Sequence, residues 1–276
     1  MGAVETIRTA VAGALEGLLP LPERSAKPRA VGVTHVVDPG MTRVEAEGLM
    51  EIAAPHVDVV RLGWGSALVT GALEAKLAVY REHDVAPMLG GTLTELAWLE
   101  GRVDELRGWL DTLGIDRIEV SSGVVAIPPE AKLELIATLS RDRVVYAEVG
   151  EKDPDALLAP YRWVELITDA LSAGATQVVC EGRGSGDAGI YRRDGEPRTG
   201  LVDEICHAID PAKLIFEAPH RAQQAWLIKA IGPDVNLGNI PPHEVIPLET
   251  LRLGLRGDTL KEVLLGDSSV EPAAAS

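Results

Sequence analysis

Short apolar runs alternate with longer segments of helical periodicity along this chain, and the alternation repeats eight times. The apolar runs, predicted as strands, are 30–38, 57–64, 86–91, 117–123, 144–150, 177–183, 213–219 and 235–240. Helices are predicted at 43–55, 68–83, 92–113, 129–141, 154–173, 199–209, 220–231 and 242–255. Eight strand–helix units in 276 residues predict an α/β fold, a (β/α)₈ TIM barrel. An open doubly wound sheet is the alternative, but the count of eight and the absence of G-x-G-x-x-G after the first strand disfavour it.

The residues outside these units predict two short extensions. Residues 1–26 carry an amphipathic pattern and predict an N-terminal helical extension that caps the barrel bottom or one flank. Residues 27–262 form the predicted barrel. The small and polar residues 263–276 predict a flexible tail.

Charge and composition exclude several classes of partner. The chain has 42 acidic and 26 basic residues, a net charge of −16, which argues against nucleic acid or an anionic membrane as the main partner. No apolar run reaches the length of roughly 18 residues that a membrane span needs. Cys180 and Cys206 form neither a disulfide framework nor a zinc spacing, and residues 1–19 lack a basic secretory signal. These features predict a cytoplasmic protein.

Polar residues follow the apolar part of most predicted strands, where TIM barrels carry their active sites. They are Asp38, Arg61, Gly90 to Thr92, Ser121, Ser122, Glu148, Glu181, Arg183, Glu217, Asn236 and Asn239. Burying several carboxylates is costly without cations. Clustered carboxylates suit Mg²⁺, so Asp38, Glu148, Glu181 and Glu217 are candidate metal ligands. The alternative is an ion network in which these carboxylates pair with Arg61 and Arg183.

Two stretches are candidate phosphate-binding loops. The glycine-rich "EGRGSGDAG" at 181–189 places Gly184 and Ser185 beside Arg183, and backbone N–H groups there suit a phosphate, although a flexible lid is the alternative. In "NLGNIPPHEV" at 236–245, Asn236, Gly238 and Asn239 lie where TIM barrels often bind phosphate. Arg256, four residues after Arg252, is a further candidate that lies either at the mouth or on the exposed surface.

Specific strings resemble the phosphosulfolactate synthase family. They are "LGWGS" (62–66), "YREHDV" (80–85), "GGTLTE" (90–95), "EVSSG" (119–123), "EVGEKDP" (148–154), "FEAP" (216–219) and "NLGNIPPHEVIPLETLRLGLRGDTL" (236–260). The resemblance implies a TIM-barrel homo-oligomer that uses Mg²⁺ to add sulfite to phosphoenolpyruvate, a carbon–sulfur bond-forming lyase. It also implies small anionic substrates and a proton donor for C2, for which a lysine is the natural residue.

Four positions depart from the family pattern. Arg61 stands where the family has a lysine, and Glu151 where it usually has a lysine. Ser122 replaces a common aspartate, and Gly184 replaces a typical glutamate. Arginine binds anions but is a poor proton donor near neutral pH. Lys152 is therefore the expected general acid, and Arg61 and Glu148 complete the predicted catalytic set. Two alternatives remain open: a diverged enzyme acting on another enol phosphate or unsaturated acceptor, and a non-catalytic, stress-related binding protein.

Overall fold

A computed structural model describes residue 19 and residues 21–151 and 158–266 of the chain. Most of the predicted N-terminal helical extension (1–26) and most of the predicted tail (263–276) lie outside these residues, and the described residues 21–26 form no helix. Within the described ranges, no helix is long and apolar enough to cross a membrane.

Eight parallel strands close into a barrel in sequence order, which confirms the predicted (β/α)₈ fold. The strands are β1 Thr34–Asp38, β2 Val59–Leu62, β3 Ala86–Leu89, β4 Arg117–Val120, β5 Val144–Val149, β6 Gln177–Cys180, β7 Leu214–Glu217 and β8 Leu237–Ile240. The barrel closes because β8 pairs with β1. Each strand is shorter than its predicted run, since the last residues of several runs turn out of the sheet to form the mouth.

The helices pack around the barrel. They are α1 Arg43–Ala53, α2 Ser66–Val69, α3 Leu73–Glu82, α4 Gly91–Leu99, α5 Val103–Leu113, α6 Pro129–Leu139, α7 Pro160–Ser172, α8 Thr199–Ala208, α9 Arg221–Ile231, α10 Val245–Arg252 and α11 Leu260–Leu264. Two predicted helices are each broken in two: 68–83 becomes α2 and α3, and 92–113 becomes α4 and α5. Gly101, with φ of 66°, makes the second break. The short α11 was not predicted, and it spans the predicted start of the tail at residue 263.

Alternation along the strands separates two cores. Val36, Val60 and Ile118 face outward and belong to the large core between sheet and helices. Val59, Met88, Tyr146, Val179 and Ile215 face inward and fill the barrel's lower interior. This inner plug closes the barrel from below, so the residues above it on the inward faces line a pocket that opens only at the carboxyl ends of the strands.

Polar contacts close the opposite, N-terminal end. Arg24 pairs with Asp234 at 2.7 Å and with Glu249 at 3.0 Å, while Arg29 pairs with Asp58 at 3.0 Å. These contacts join the segment before β1 to three other parts of the barrel bottom. In a TIM barrel, this end serves stability rather than chemistry.

Candidate active site at the barrel mouth

A cavity of about 200 Å³ lies at the carboxyl ends of the strands. It is lined by Arg61, Gly63, Trp64, Gly90, Gly91, Thr92, Glu119, Ser121, Val124, Glu148, Glu181, Arg183, Gly184, Glu217 and Asn239. The volume is below the range of about 300–1,000 Å³ typical of pockets for drug-sized ligands. The site therefore fits a small, polar substrate.

Three glutamates converge inside this cavity. Glu148, Glu181 and Glu217 each offer a carboxylate oxygen, and the three oxygens lie within 4.8 Å of one another. Their side chains are almost fully buried, which is costly for carboxylates that share one space. Backbone N–H groups offset part of that cost: Glu181 Oε1 accepts from Arg183 N (2.5 Å), and Glu217 Oε2 accepts from the N–H groups of Gly182 and Arg183, both at 3.0 Å.

A buried arginine holds the other side of the site together. Arg61 Nη1 donates to Glu119 Oε2 at 2.8 Å, and Arg61 Nη2 donates to Asn239 Oδ1 at 3.0 Å and lies 3.5 Å from Glu217 Oε1. Burial disfavours the charged form of Glu119, but Arg61, together with His35 and the N–H of Gly91, holds the pKa of that carboxyl below its usual value. The guanidinium of Arg61 thus contacts protein groups and is not free to bind an anion.

The charges of the described lining residues do not balance. Four glutamates face two arginines, so the lining has two more negative than positive charges. An anionic ligand would be repelled by this surface unless a cation joined it. Three carboxylate oxygens with this spacing and hard-oxygen character fit a divalent cation such as Mg²⁺.

Three lining residues have left-handed backbone conformations: Trp64 (φ 50°), Arg183 (φ 63°) and Asn239 (φ 56°). Such conformations are strained for residues other than glycine and concentrate at functional sites. The side chain of Arg183 is half exposed and lies 3.9 Å from Asp187, its nearest acidic partner. Of the two arginines in the lining, Arg183 is therefore the one placed to meet an incoming anion.

Another buried glutamate supports the loop after β4. Glu95, on α4, accepts hydrogen bonds from the Ser121 hydroxyl and from the backbone N–H groups of Gly123, Val124 and Val125. Ser121 and Val124 line the cavity, so Glu95 positions one wall of it. On the far side of this loop, Lys132 Nζ donates to the Ser122 hydroxyl at 3.2 Å and to the carbonyl of Glu148 at 2.6 Å.

Asp38 was predicted as a metal ligand, and the structure shows that this is wrong. Its carboxylate pairs with Lys76 at 2.7 Å, accepts from the Tyr80 hydroxyl at 2.8 Å, and accepts from the backbone of Gly40 and Met41. Asp38 has the same parity on β1 as Val36, so its side chain faces the helices instead of the barrel interior.

Asn236 and Gly238 were predicted to bind phosphate, and both are misplaced for that role. Asn236 precedes β8 at the N-terminal end, where its side chain accepts from Val33 N at 2.9 Å and donates to Leu214 O at 3.0 Å. Gly238 lies within β8, where a Cβ would be 2.8 Å from Ile215 Cγ2 and 3.3 Å from His35 Nδ1. Only Asn239 of this group reaches the cavity.

Ser185 and Arg256 also lie outside the described cavity lining. The Ser185 hydroxyl donates to Asp187 at 2.5 Å, and its loop is held by Gln223, which donates to the Gly186 carbonyl at 2.8 Å. Arg256 follows α10, whose last residue, Arg252, donates to backbone carbonyls at the N-terminal end of the barrel. Arg256 pairs with Asp258 at 3.5 Å, away from the mouth.

The remaining predicted residues either line the cavity or lie outside the described residues. Arg61, Glu148, Glu181, Arg183, Gly184, Glu217 and Asn239 all line the cavity. Lys152 lies outside the described residues, so its role stays a prediction.

Sequence reasoning missed Glu119, Glu95 and Trp64. Glu119 is the second-last residue of β4, as Arg61 is of β2 and Glu148 of β5, and this shared position was the signal that identifies it. Glu95 and Trp64 lie in "GGTLTE" and "LGWGS", where no local pattern distinguishes a loop anchor or a cavity wall from ordinary helix and turn residues.

Comparison with known proteins identifies relatives of this chain. Residues 22–258 match the family model described as ComA, (2R)-phospho-3-sulfolactate synthase. The phosphosulfolactate synthase of Methanothermobacter thermautotrophicus is 43% identical over 250 residues, covering 88% of this chain and 97% of the relative. The phosphosulfolactate synthase of Bacillus subtilis is 39% identical over 244 residues, covering 87% and 97%.

Solved structures show the same architecture at much lower identity. A 3-hexulose-6-phosphate synthase has a TM-score of 0.52 and 15% identity, covering 80% of this chain and 98% of that one. The deoxyribose phosphate aldolase of Aeropyrum pernix also has a TM-score of 0.52 and 15% identity, covering 81% and 91%. These two likenesses concern the barrel fold alone. The match over residues 22–258 and the two relatives near 40% identity show that this chain belongs to the phosphosulfolactate synthase family.

Proposed function

We propose that this protein is an Mg²⁺-dependent lyase that adds sulfite to phosphoenolpyruvate to give phosphosulfolactate. The observation that carries the proposal is the convergence of Glu148, Glu181 and Glu217 within 4.8 Å in the mouth of a phosphosulfolactate synthase-family barrel. Bound Mg²⁺ would supply positive charge beside the substrate, where negative charge develops as a nucleophile adds to an enol phosphate.

The chain's own residues have separate tasks in this proposal. Glu148, Glu181 and Glu217 hold the cation, and the backbone N–H groups of Gly182 and Arg183 fix two of these carboxylates in place. The half-exposed Arg183 binds an anionic group of the substrate at the rim. Arg61 holds Glu119 and Asn239 in position beneath that anion, so its contribution is positive charge and rigidity rather than a proton.

The proton for C2 needs a different residue. Among the described residues that line the cavity there is no lysine and no histidine. His35 lies below the cavity. Burial, reinforced by the charge of Arg61, lowers the pKa of His35 to about 3, so this residue is neutral at physiological pH. Lys152, three residues after Val149 at the end of β5, remains the proposed general acid.

The proposal is tested by incubating the protein with phosphoenolpyruvate, sulfite and Mg²⁺, following loss of the enol absorbance and identifying the product by ³¹P NMR. Glu181→Gln is expected to abolish turnover and to leave the circular dichroism spectrum unchanged, because it removes one ligand charge without changing the side chain's shape. The matched control is Glu204→Gln, at an exposed position on α8. Full activity of Glu181→Gln would remove this residue from the site.

A second candidate function is catalysis on another enol phosphate. It is favoured by the absence of a lysine from the described lining and by the engagement of Arg61 with protein groups. Turnover that occurs only when sulfite is replaced by another nucleophile, or phosphoenolpyruvate by another acceptor, would select this candidate. Mg²⁺-dependent binding of phosphoenolpyruvate without any turnover would instead indicate the non-catalytic alternative.

A further inference from the structure

Trp64 occupies a strained position at the cavity rim. Its backbone has φ 50° and ψ 33°, in the turn between β2 and α2, a conformation that costs a bulky residue about 1–2 kcal/mol. The preceding Gly63 has little room for a side chain, because a Cβ there would lie 3.1 Å from Val37 Cγ2. Trp64 is 64% exposed although it lines the cavity. A large apolar ring held in this way is placed over the opening, not packed into a core.

The ring reaches across the mouth of the barrel. Trp64 follows β2 and Gly184 follows β6, and these strands are diametrically opposite in a closed barrel of eight. Yet a Cβ at Gly184 would lie only 3.8 Å from Trp64 Cζ2, and 4.0 Å from Asn239 Nδ2. The indole therefore extends over the cavity mouth as far as Gly184, and we call it the roof of the cavity.

Gly184 differs from the other glycines of the lining. A Cβ at Gly90 would lie 2.8 Å from the Leu62 carbonyl oxygen, so glycine is required there by packing. At Gly184 a Cβ would make only ordinary contacts, and its φ lies outside the left-handed range. Neither the backbone nor the packing explains this glycine, and the missing side chain leaves space between Trp64 and Asn239, two residues that also line the cavity.

We propose that Trp64 and Gly184 form the entrance of the cavity and limit the size of the anion that reaches the three glutamates. Trp64 covers the mouth, and the missing side chain at 184 leaves the passage beside it open. The inference rests on the proposed function in that the anion is the substrate, phosphoenolpyruvate.

The test is a double-mutant cycle on this gap. Gly184→Leu fills the space beside the indole, and it is expected to lower kcat/KM for phosphoenolpyruvate, with sulfite and Mg²⁺, about tenfold, chiefly through KM. Trp64→Ala removes the roof. In the double variant Trp64→Ala/Gly184→Leu the leucine has room, so its effect is expected to shrink to about threefold or less. The matched control is Gly200→Leu on α8, where a Cβ meets nothing within 4 Å; it should behave as the wild type.

A second measurement separates this inference from the proposed reaction. The Kd of phosphoenolpyruvate with Mg²⁺, measured by calorimetry, should follow the same cycle as KM. If the wild type binds phosphoenolpyruvate without converting it, the proposed reaction is wrong, and rescue of Kd in the double variant still supports the entrance. Equal loss with and without Trp64, or no loss in Gly184→Leu, would overturn the entrance while leaving the reaction intact. Absence of phosphoenolpyruvate binding by the wild type would overturn both. Should Gly184→Leu fail to fold, Gly184→Val replaces it, with the same rescue expected.

Discussion

The buried pair of Arg61 and Glu119 makes a sharp prediction about how stability depends on pH. Both side chains are more than nine-tenths buried, and they lie on strands that are not neighbours, β2 and β4. The perturbation is Arg61→Met, which keeps an unbranched apolar side chain and removes the guanidinium. Glu119 and Asn239 then each lose the donor that now lies at 2.8 and 3.0 Å respectively.

The expected loss at neutral pH follows from these two contacts. A hydrogen bond to a charged group contributes about 1.5–3 kcal/mol, so two such bonds give about 3–6 kcal/mol. Removing one partner of a buried ion pair costs about 3–5 kcal/mol, because the other charge stays buried without compensation. We therefore expect Arg61→Met to lower the free energy of unfolding by about 4 kcal/mol at neutral pH.

The sign of the pH dependence separates this cause from simple loss of packing. In the wild type the pKa of Glu119 lies below its usual value of 4.5, because the charge and hydrogen bond of Arg61, together with His35 and the N–H of Gly91, outweigh the effect of burial. The charged carboxylate thus contributes stability above pH 4.5 that is lost as the pH falls through the lower folded pKa. Without Arg61, burial dominates and the folded pKa rises above the unfolded one. The deficit of the variant should then grow from pH 4.5 towards neutrality and shrink at acid pH.

Urea unfolding followed by circular dichroism, at several pH values between about 4.5 and 8, measures this deficit. The control is Arg43→Met, which breaks an exposed pair with Glu47 and should cost at most about 1 kcal/mol. A second variant, Arg61→Met/Glu119→Leu, should recover much of the loss, because the uncompensated charge is gone. A deficit below about 1 kcal/mol at neutral pH, or one that is independent of pH, would refute this reasoning.

Three further predictions concern buried polar groups around the barrel. Burial lowers the folded pKa of His35 to about 3, so the unfolded chain binds a proton below pH 6.5 that the folded protein does not. His35→Asn removes this group, and the variant should therefore lose less stability as the pH falls. In urea titrations, the free energy of unfolding of the wild type should fall by up to about 2 kcal/mol more than that of the variant between pH 6.5 and 5. Lys76→Met should cost about 3–5 kcal/mol by leaving Asp38 without its cation, and Lys76→Met/Asp38→Asn should recover part of it in thermal unfolding. Glu95→Gln should cost about 2–3 kcal/mol, because an amide NH₂ must face a backbone donor; increased hydrogen exchange at 123–125 would check it.

The barrel was predictable because its signal is local and repeated. Each apolar run and each helical period reports on its own segment, and eight repetitions leave few alternatives. The errors lie where local preference is weak. Residues 92–113 keep a helical pattern throughout, and only Gly101 marked the break between α4 and α5. The start of β8 was misjudged for a related reason: the predicted run 235–240 includes Asn236, whereas the strand itself begins at Leu237.

The metal candidates show which part of a site a strand pattern reveals. Asp38 and Glu217 are both the last residues of their strands, yet only Glu217 faces the cavity. Position at the strand end identifies the height in the barrel, while the parity relative to inward-facing neighbours identifies the side. Val36, two residues before Asp38, packs among the helices, whereas Ile215, two before Glu217, packs inside the barrel. The sequence predicted the height of Asp38 in the barrel correctly, but it did not predict that the side chain faces the helices.

The parity of Arg61 on its strand would still not have predicted the contacts of its guanidinium. Arg61 and Glu119 are 58 residues apart, and Arg61 and Asn239 are 178 apart, so the contacts that occupy the guanidinium exist only once the barrel has closed. An arginine at a strand end is free to bind an anion only if the carboxylates around it do not occupy it, and here Glu119 Oε2 accepts from Arg61 Nη1. The same geometry gives Arg183 the opposite character, since its backbone N–H is used by Glu181 and Glu217 while its side chain stays half exposed. The two arginines at this rim thus differ in exposure: Arg61 is held by buried protein groups, and the guanidinium of Arg183 stays half exposed, which is why we propose that Arg183 meets the ligand.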